Sequence, residues 1–267
     1  MRMFVVSRKL WLGRLLGIIL MIFGIILVRG PLSGPTEMLV SLVTGVKKLH
    51  PIYCVNTEEP KIAISFDATW GAAFTKDLLD TLDKYNVKTT FFLVNIWLDK
   101  FPEEAKEIVA RGHEIGLHST THPDFKKLSE EQMIDELQNN YNKILEVTGF
   151  KPILFRPPFG SYNNTLITVA NKMGLHVIQW DVDSLDWKDL SAEQIYSRVT
   201  SKVKNGSIVL FHNNAQHTPK ALGPILENLQ SKGFKIVPIS ELIYKEDYYV
   251  DVNGVQQQGN SPEPSHQ

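Results

Sequence analysis

Glu114-Ile115-Gly116-Leu117-His118-Ser119-Thr120-Thr121-His122-Pro123 is a short apolar strand that runs directly into two histidines four residues apart. Pro123 blocks any regular continuation. The pair is therefore expected in a loop or a single turn at the C-terminal end of a strand, where two imidazoles can converge on one metal ion. Taken alone, the same pattern also fits two unrelated histidines on a surface loop, so the surrounding chain has to decide.

The alternation continues on both sides. β-rich apolar runs occur at Ile62–Phe66, Thr89–Val94, Glu114–Leu117, Ile153–Phe155, His176–Trp180, Ser207–Phe211 and Lys235–Val237. Helical patterns lie between them at 74–85, 103–111, 129–148, 163–173, 191–204 and 219–231. Ser129 to Gln132 and Ser191 to Gln194 are capping boxes. Gly112, Gly149, Gly174 and Gly233 stand where helices end. Strands alternating with helices predict an α/β fold with a parallel sheet, closed as a barrel or open and doubly wound. In both, the active site lies at the strand C-terminal ends. Asp67, His118, Arg156, Asp181 with Asp183, and His212 each follow a strand, so that rim collects the ionisable groups.

The 267 residues and 43% hydrophobic content suit one sizeable domain. A net charge of -1 gives no reason to expect nucleic acid; a neutral glycan or small molecule is the easier partner. The single cysteine, Cys54, excludes an internal disulfide and a cysteine-rich zinc site, and reads as a small buried side chain. Residues 1–14 carry Arg2, Arg8, Lys9 and Arg14 without an acid, and Leu15 to Val28 is uninterrupted apolar sequence. Basic start and apolar core form an export signal. With no small-x-small cleavage site after it, residues 1–29 read as an uncleaved signal-anchor, a transmembrane helix that leaves the rest of the chain outside the cytoplasm. A cleaved signal peptide with a secreted product is the alternative. Residues 30–57 read as a linker or leader, 58–245 as the folded domain, and 246–267 as a disordered tail rich in Gln, Gly, Asn, Ser and Pro.

Five short motifs carry the chemistry: Phe66-Asp67 with Gly71, His118-Ser119 with His122, Arg156-Pro157-Pro158 with Gly160, Asp183 with Trp187, and Leu210 with His212. Their order and spacing resemble the polysaccharide deacetylase family, the NodB-homology domain of carbohydrate esterase family four, over residues 58–245. Phe66-Asp67-Ala68-Thr69-Trp70-Gly71, with the lead-in Pro51-Ile52-Tyr53, is most similar to the sporulation-associated branch. The resemblance implies a distorted (β/α)7–8 barrel and a metal-dependent hydrolase. Its substrate would be an N-acetylated cell-wall polysaccharide, bearing GlcNAc or MurNAc. It also implies roles: Asp67 as general base, Arg156 as the group that holds it, His118 and His122 as metal ligands. His212 would be the general acid, with Asp183 raising its pKa. Backbone N–H near Phe159 would stabilise the oxyanion, and Trp187 and Leu210 would line the acetyl pocket. The metal would be a divalent ion, zinc first, with cobalt or manganese as alternatives.

The chain departs from the family pattern at Ala68, where a second aspartate usually serves as the third protein ligand. A weaker metal site is expected in consequence, with Thr69 a poor substitute. Asn213 stands where many relatives carry Asp. Two other readings follow: a non-catalytic protein that binds glycan or serves sporulation by interaction, and a deacetylase of another glycan such as chitin or xylan. Trp70 and Trp97 read as core aromatics, with sugar stacking as the alternative.

Overall fold

Lys61–Ala68 is buried from its second residue onward, and alternation sorts its side chains. Ile62, Ile64, Phe66 and Ala68 join the larger apolar cluster, while Ala63 joins the smaller one. Ser65 and Asp67 share the parity of Ala63 and so stand on its face of the sheet. The chain around this strand is a computed structural model that describes residues 47–261. Residues 1–29, expected to be a signal-anchor, and most of those expected to form the leader fall outside the described residues. Among the described residues no helix is long and apolar enough to cross a membrane.

The elements follow in chain order. Cys54–Val55 is β1, Lys61–Ala68 β2, Thr75–Lys84 α1, Thr90–Leu93 β3, Asn95–Lys100 α2, and Pro102–Ala110 α3. Glu114–Leu117 is β4, Glu130–Thr148 α4, Leu154–Phe155 β5, Asn164–Lys172 α5, His176–Val177 β6, and Val182–Asp183 β7. Ala192–Thr200 is α6, Ile208–His212 β8, Thr218–Ser231 α7, Lys235–Ile236 β9, and Ile239–Leu242 α8. Tyr248–Val250 and Val255–Gln258 are β10 and β11.

The main sheet runs β6-β5-β4-β3-β2-β8-β7, with β9 also on β2, and every pairing is parallel. Register puts the rim residues together: Asp67 lies opposite His212 on one side and Phe92 on the other, and Leu117 lies opposite Phe155. The expected barrel is a half-barrel instead. Its edges, β6 and β7, are consecutive in the chain, but no ladder among the described residues joins them. The backbone between them is diverted: Gln179 N–H donates to the Ile52 carbonyl and Asp181 N–H to that of Ile208. This also cuts the expected strand at His176–Trp180 short after Val177.

The helices start and stop as the sequence dictates. Both capping boxes form, and Gly149 ends α4 in the left-handed conformation at φ 71°. The core under the helices centres on Phe66, stacked between Phe91 at 4.9 Å and Phe211 at 5.7 Å. α2, a single six-residue helix with Trp97 and Leu98 buried, is not evident in the sequence pattern.

The described part of the tail is ordered, which corrects the expectation for residues 246–267. β11 pairs in parallel with β1 and antiparallel with β10. Backbone pairing, with Tyr248 and Val250 packed on the smaller apolar cluster, holds this sheet, and one side chain fastens it to the domain. Gln256, fully buried, accepts from the Tyr244 N–H at 2.9 Å and donates to the Tyr244 carbonyl at 2.7 Å. Asp251 Oδ1 closes the hairpin by accepting from the N–H groups of Asn253 and Val255. Cys54 is buried in β1, and burial, with the charge of Asp181, pushes its thiol up to about 11. Replacing Gln256 with Leu strands both backbone groups of Tyr244, so urea unfolding of the Gln256→Leu protein should show a loss of about 2 kcal/mol or more.

Candidate active site

The rim at the C-terminal ends of β2, β4, β7 and β8 opens into a cavity of about 750 Å³. Asp67, His118, His122, Phe159, Asp183, Trp187, Leu210 and His212 all line it. Arg156 lies fully buried and does not reach the cavity; it supports the cavity from beneath. Its Nη1 donates to Asp67 Oδ1 at 2.7 Å, and Nη2 donates to Ser65 Oγ at 2.8 Å and the Gln179 carbonyl at 3.2 Å. The guanidinium is packed on the Phe92 ring at 4.1 Å and near that of Trp180 at 5.6 Å. Burial pushes the Asp67 carboxyl up, but the Arg156 charge, with His118, His212 and the hydrogen bond, outweighs it and holds the group below the usual carboxylate range. Asp67 is thus an anion kept dry, with Oδ2 left for the cavity.

The two histidines are held by α4, which the sequence reading did not connect to them. Asn140, fully buried in α4, accepts from the His118 N–H at 2.9 Å and donates to the Leu93 carbonyl at 3.0 Å. Glu136, one turn earlier, accepts from the N–H groups of Thr120 and Thr121, both at 2.8 Å. The loop needs this support because Ser119 and His122 take φ of 78° and 60°, where side chains are strained. The only trace of this in the sequence is a polar Asn on the apolar face of an amphipathic helix.

His118 Nδ1 faces the Arg156 carbonyl at 2.8 Å, which fixes the N–H there and turns a lone pair on Nε2 toward Asp67 Oδ2 at 3.6 Å. The His122 ring stands 5.0 Å from that of His118, with Phe159 at 4.6 Å and Trp70 at 6.1 Å. Burial lowers both imidazoles, His122 to about 4, so both are neutral at neutral pH.

The third component is His212. Its Nδ1 is 2.8 Å from Asp186 Oδ1, and its backbone N–H donates to Asp186 Oδ2 at 2.8 Å. Thr218 Oγ1 also donates to Oδ2, at 2.7 Å. Burial pulls the His212 imidazole down, but the hydrogen bond and charge of Asp186 more than restore it, and Asp67 and Asp183 add to the rise. The expected partner was Asp183; the partner in contact is Asp186. Asp183 Oδ1 instead accepts from the Leu185 N–H, and the short turn Asp186–Lys188, flanked by left-handed Leu185 and Asp189, delivers the second carboxylate. Asp181 is not at the rim at all. It accepts from Ser207 Oγ and the Ile208 N–H at the opposite end of β8.

The donor set does not fit a three-ligand metal site. Among the described residues no group of three His, Cys, Asp or Glu is placed to hold an ion. Asp67 Oδ1 is committed to Arg156, and Ala68 packs with the core under the helices rather than lining the cavity. Thr69 does line it, as a hydroxyl only. Of the two tryptophans, Trp97 is buried and donates to the Gly71 carbonyl, whereas Trp70 is 69% exposed at the cavity rim.

The polysaccharide deacetylase family model matches residues 55–178. The uncharacterised protein YlxY of Bacillus subtilis is 33% identical over 73% of this chain, which spans 60% of the length of that relative. A peptidoglycan-N-acetylglucosamine deacetylase of Bacillus cereus is 32% identical, with 74% of this chain and 96% of that protein covered. The crystal structure of a wild-type pseudoenzyme of carbohydrate esterase family four from Bacillus anthracis superposes with a TM-score of 0.71. It is 32% identical, with 79% of this chain and 73% of that one covered.

If Asp186 rather than Asp183 sets the imidazole, an NMR titration separates them. Asp186→Asn should bring the His212 pKa down by about one unit or more, and Asp183→Asn by clearly less.

Proposed function

This chain belongs to the polysaccharide deacetylase family, and on that premise we propose that its cavity removes N-acetyl groups from cell-wall peptidoglycan. The observation that carries the reading is the opposition of Asp67 and His212, one held below and the other above its ordinary pKa across one cavity. Amide hydrolysis needs both, because water must lose a proton to attack and an amine leaves only when protonated.

In the proposed reaction Asp67 Oδ2 takes a proton from a water that attacks the acetyl carbonyl carbon. The oxyanion of the tetrahedral intermediate is received by backbone N–H at the Phe159 turn. His212, its Nδ1 occupied by Asp186, gives the proton on Nε2 to the amide nitrogen. The C–N bond then breaks, leaving acetate and a free amine on the sugar. Arg156 keeps Asp67 ionised and aimed, and Leu210 and Trp187 receive the acetyl methyl.

Deacetylases of this family are generally metal-dependent. The residues present do not complete such a site, so no step here passes through a metal. A second reading has a different observation in its favour: with two histidines and no third donor among the described residues, and with likeness to a pseudoenzyme, the cavity would hold glycan without turnover. We place the domain outside the cytoplasm behind the proposed signal-anchor, at the wall of an endospore-forming bacterium, where its polymer is found.

Acetate release from N-acetylated peptidoglycan, with zinc, cobalt or manganese supplied, decides between the readings. Hydrolysis predicts that Asp67→Asn and His212→Gln each cost about 10²-fold or more while the protein stays folded. Wild-type protein that binds the glycan and releases no acetate under any of these conditions assigns the second reading.

A further inference from the structure

The end of the expected leader enters the fold where the main sheet stays open. No ladder among the described residues joins β6 to β7, and residues 49–56 run along that gap. Ile52 pairs in parallel with Ile178: its N–H donates to the Val177 carbonyl at 2.9 Å, and its carbonyl accepts from the Gln179 N–H at 2.7 Å. Farther along, Cys54 pairs antiparallel with Ser207, and the Val55 N–H donates to the Gly206 carbonyl at 2.9 Å. The strap is fastened at both ends. The Leu49 N–H donates to Asn164 Oδ1 at 2.9 Å, and β1 is paired with β11. Between them the Ile52 side chain is buried in the smaller apolar cluster, with Ile178.

This strap reaches the base through one residue. Gln179 gives its N–H to Ile52 and takes Arg156 Nη2 on its carbonyl. Of the three acceptors of the guanidinium, Asp67 Oδ1 and Ser65 Oγ belong to β2, and the Gln179 carbonyl is the one outside it. The buried Arg156 Nε finds no partner, so the bonds at the two Nη atoms set the orientation of the group in its own plane. At 3.2 Å the bond to Gln179 is the longest of the three, and a small displacement of the strap weakens it first. Without it the guanidinium is bonded to β2 alone and is free to turn together with Asp67. Ile52 lies ahead of residues 55–178, which the family model matches, and Gln179 follows them directly.

We infer that Ile52 is a positioning residue: seated between β6 and the start of β8, it holds Gln179, and through Gln179 and Arg156 it holds the aim of Asp67. The inference rests on the reading of Asp67 as the base, but its first test needs no turnover. The probe is hydrogen exchange of the Arg156 Nη protons in the intact chain, followed by NMR with the β3 amides as the reference for the core. Ile52→Ala, which removes the buried side chain of the strap, should speed Arg156 exchange about tenfold or more relative to those amides. Ile52→Val should shift the ratio the same way by less, and it decides the matter should the alanine variant not fold. Leu242→Ala truncates the same apolar cluster without altering the strap, and should leave the ratio unchanged. An unchanged ratio in the Ile52 variants, or an equal rise in Leu242→Ala, overturns the inference. In acetate release Ile52→Ala should lower kcat about tenfold with KM nearly unchanged, whereas a change confined to KM counts against it. A protein that binds glycan and releases no acetate removes the hydrolytic reading, and the exchange ratio then decides on Ile52 alone.

Discussion

The site depends on a buried ion pair. Arg156 is wholly removed from water and Asp67 nearly so, and taking such charges out of solvent costs several kcal/mol each before they meet. The cost is offset because both Nη atoms of the guanidinium are bonded along a path across the sheet, while its buried Nε finds no partner. It leaves β5, passes over Phe92 of β3, and bonds Asp67 and Ser65 of β2 and the carbonyl of Gln179 beyond β6. Taking away either partner would strand the other, at about 3–5 kcal/mol. The pair therefore ties the sheet's register to the ionisation of the base: if β2 slipped by one residue, Asp67 would turn into the core under the helices.

The acid side is built by a different device. His212 sits opposite Asp67 in the β2–β8 register, and its imidazole is fixed by a carboxylate from a short turn between two left-handed residues rather than by a strand. Asp186 receives the backbone and the ring of the same histidine, so one residue sets both the position and the proton affinity of the acid. The cavity's polarity follows: a permanent anion at β2, an imidazole kept basic at β8, and two neutral histidines at β4.

Much of this was legible in the sequence because parallel α/β sheets send their strand ends to one rim. Asp67, His118 and His212 could be placed there from apolar runs that stop at a polar residue. What was not legible depends on geometry with no sequence period. Asp183 ends β7 and Asp186 follows three residues later, and the left-handed backbone at Leu185 turns the second of them onto His212. Asp181 follows an apolar run but folds back onto β8, because the strand it should extend ends at Val177. β11, read as part of a polar tail, gave no apolar pattern and is held by backbone pairing and by the amide of Gln256. The loss signified by Ala68 was legible as a residue type: its methyl packs into the core under the helices and brings no donor to the two histidines.

The central claim is that Asp67 and His212, each tuned by its buried partner, act as base and acid on an acetamido sugar. Its most direct test is the pH profile of acetate release, compared between the wild type and Asp186→Asn. The account predicts that kcat/KM falls as pH rises through the raised His212 pKa, since the acid is then lost, and that Asp186→Asn moves this basic limb to lower pH. A basic limb that stays in place when Asp186 is neutralised would contradict it.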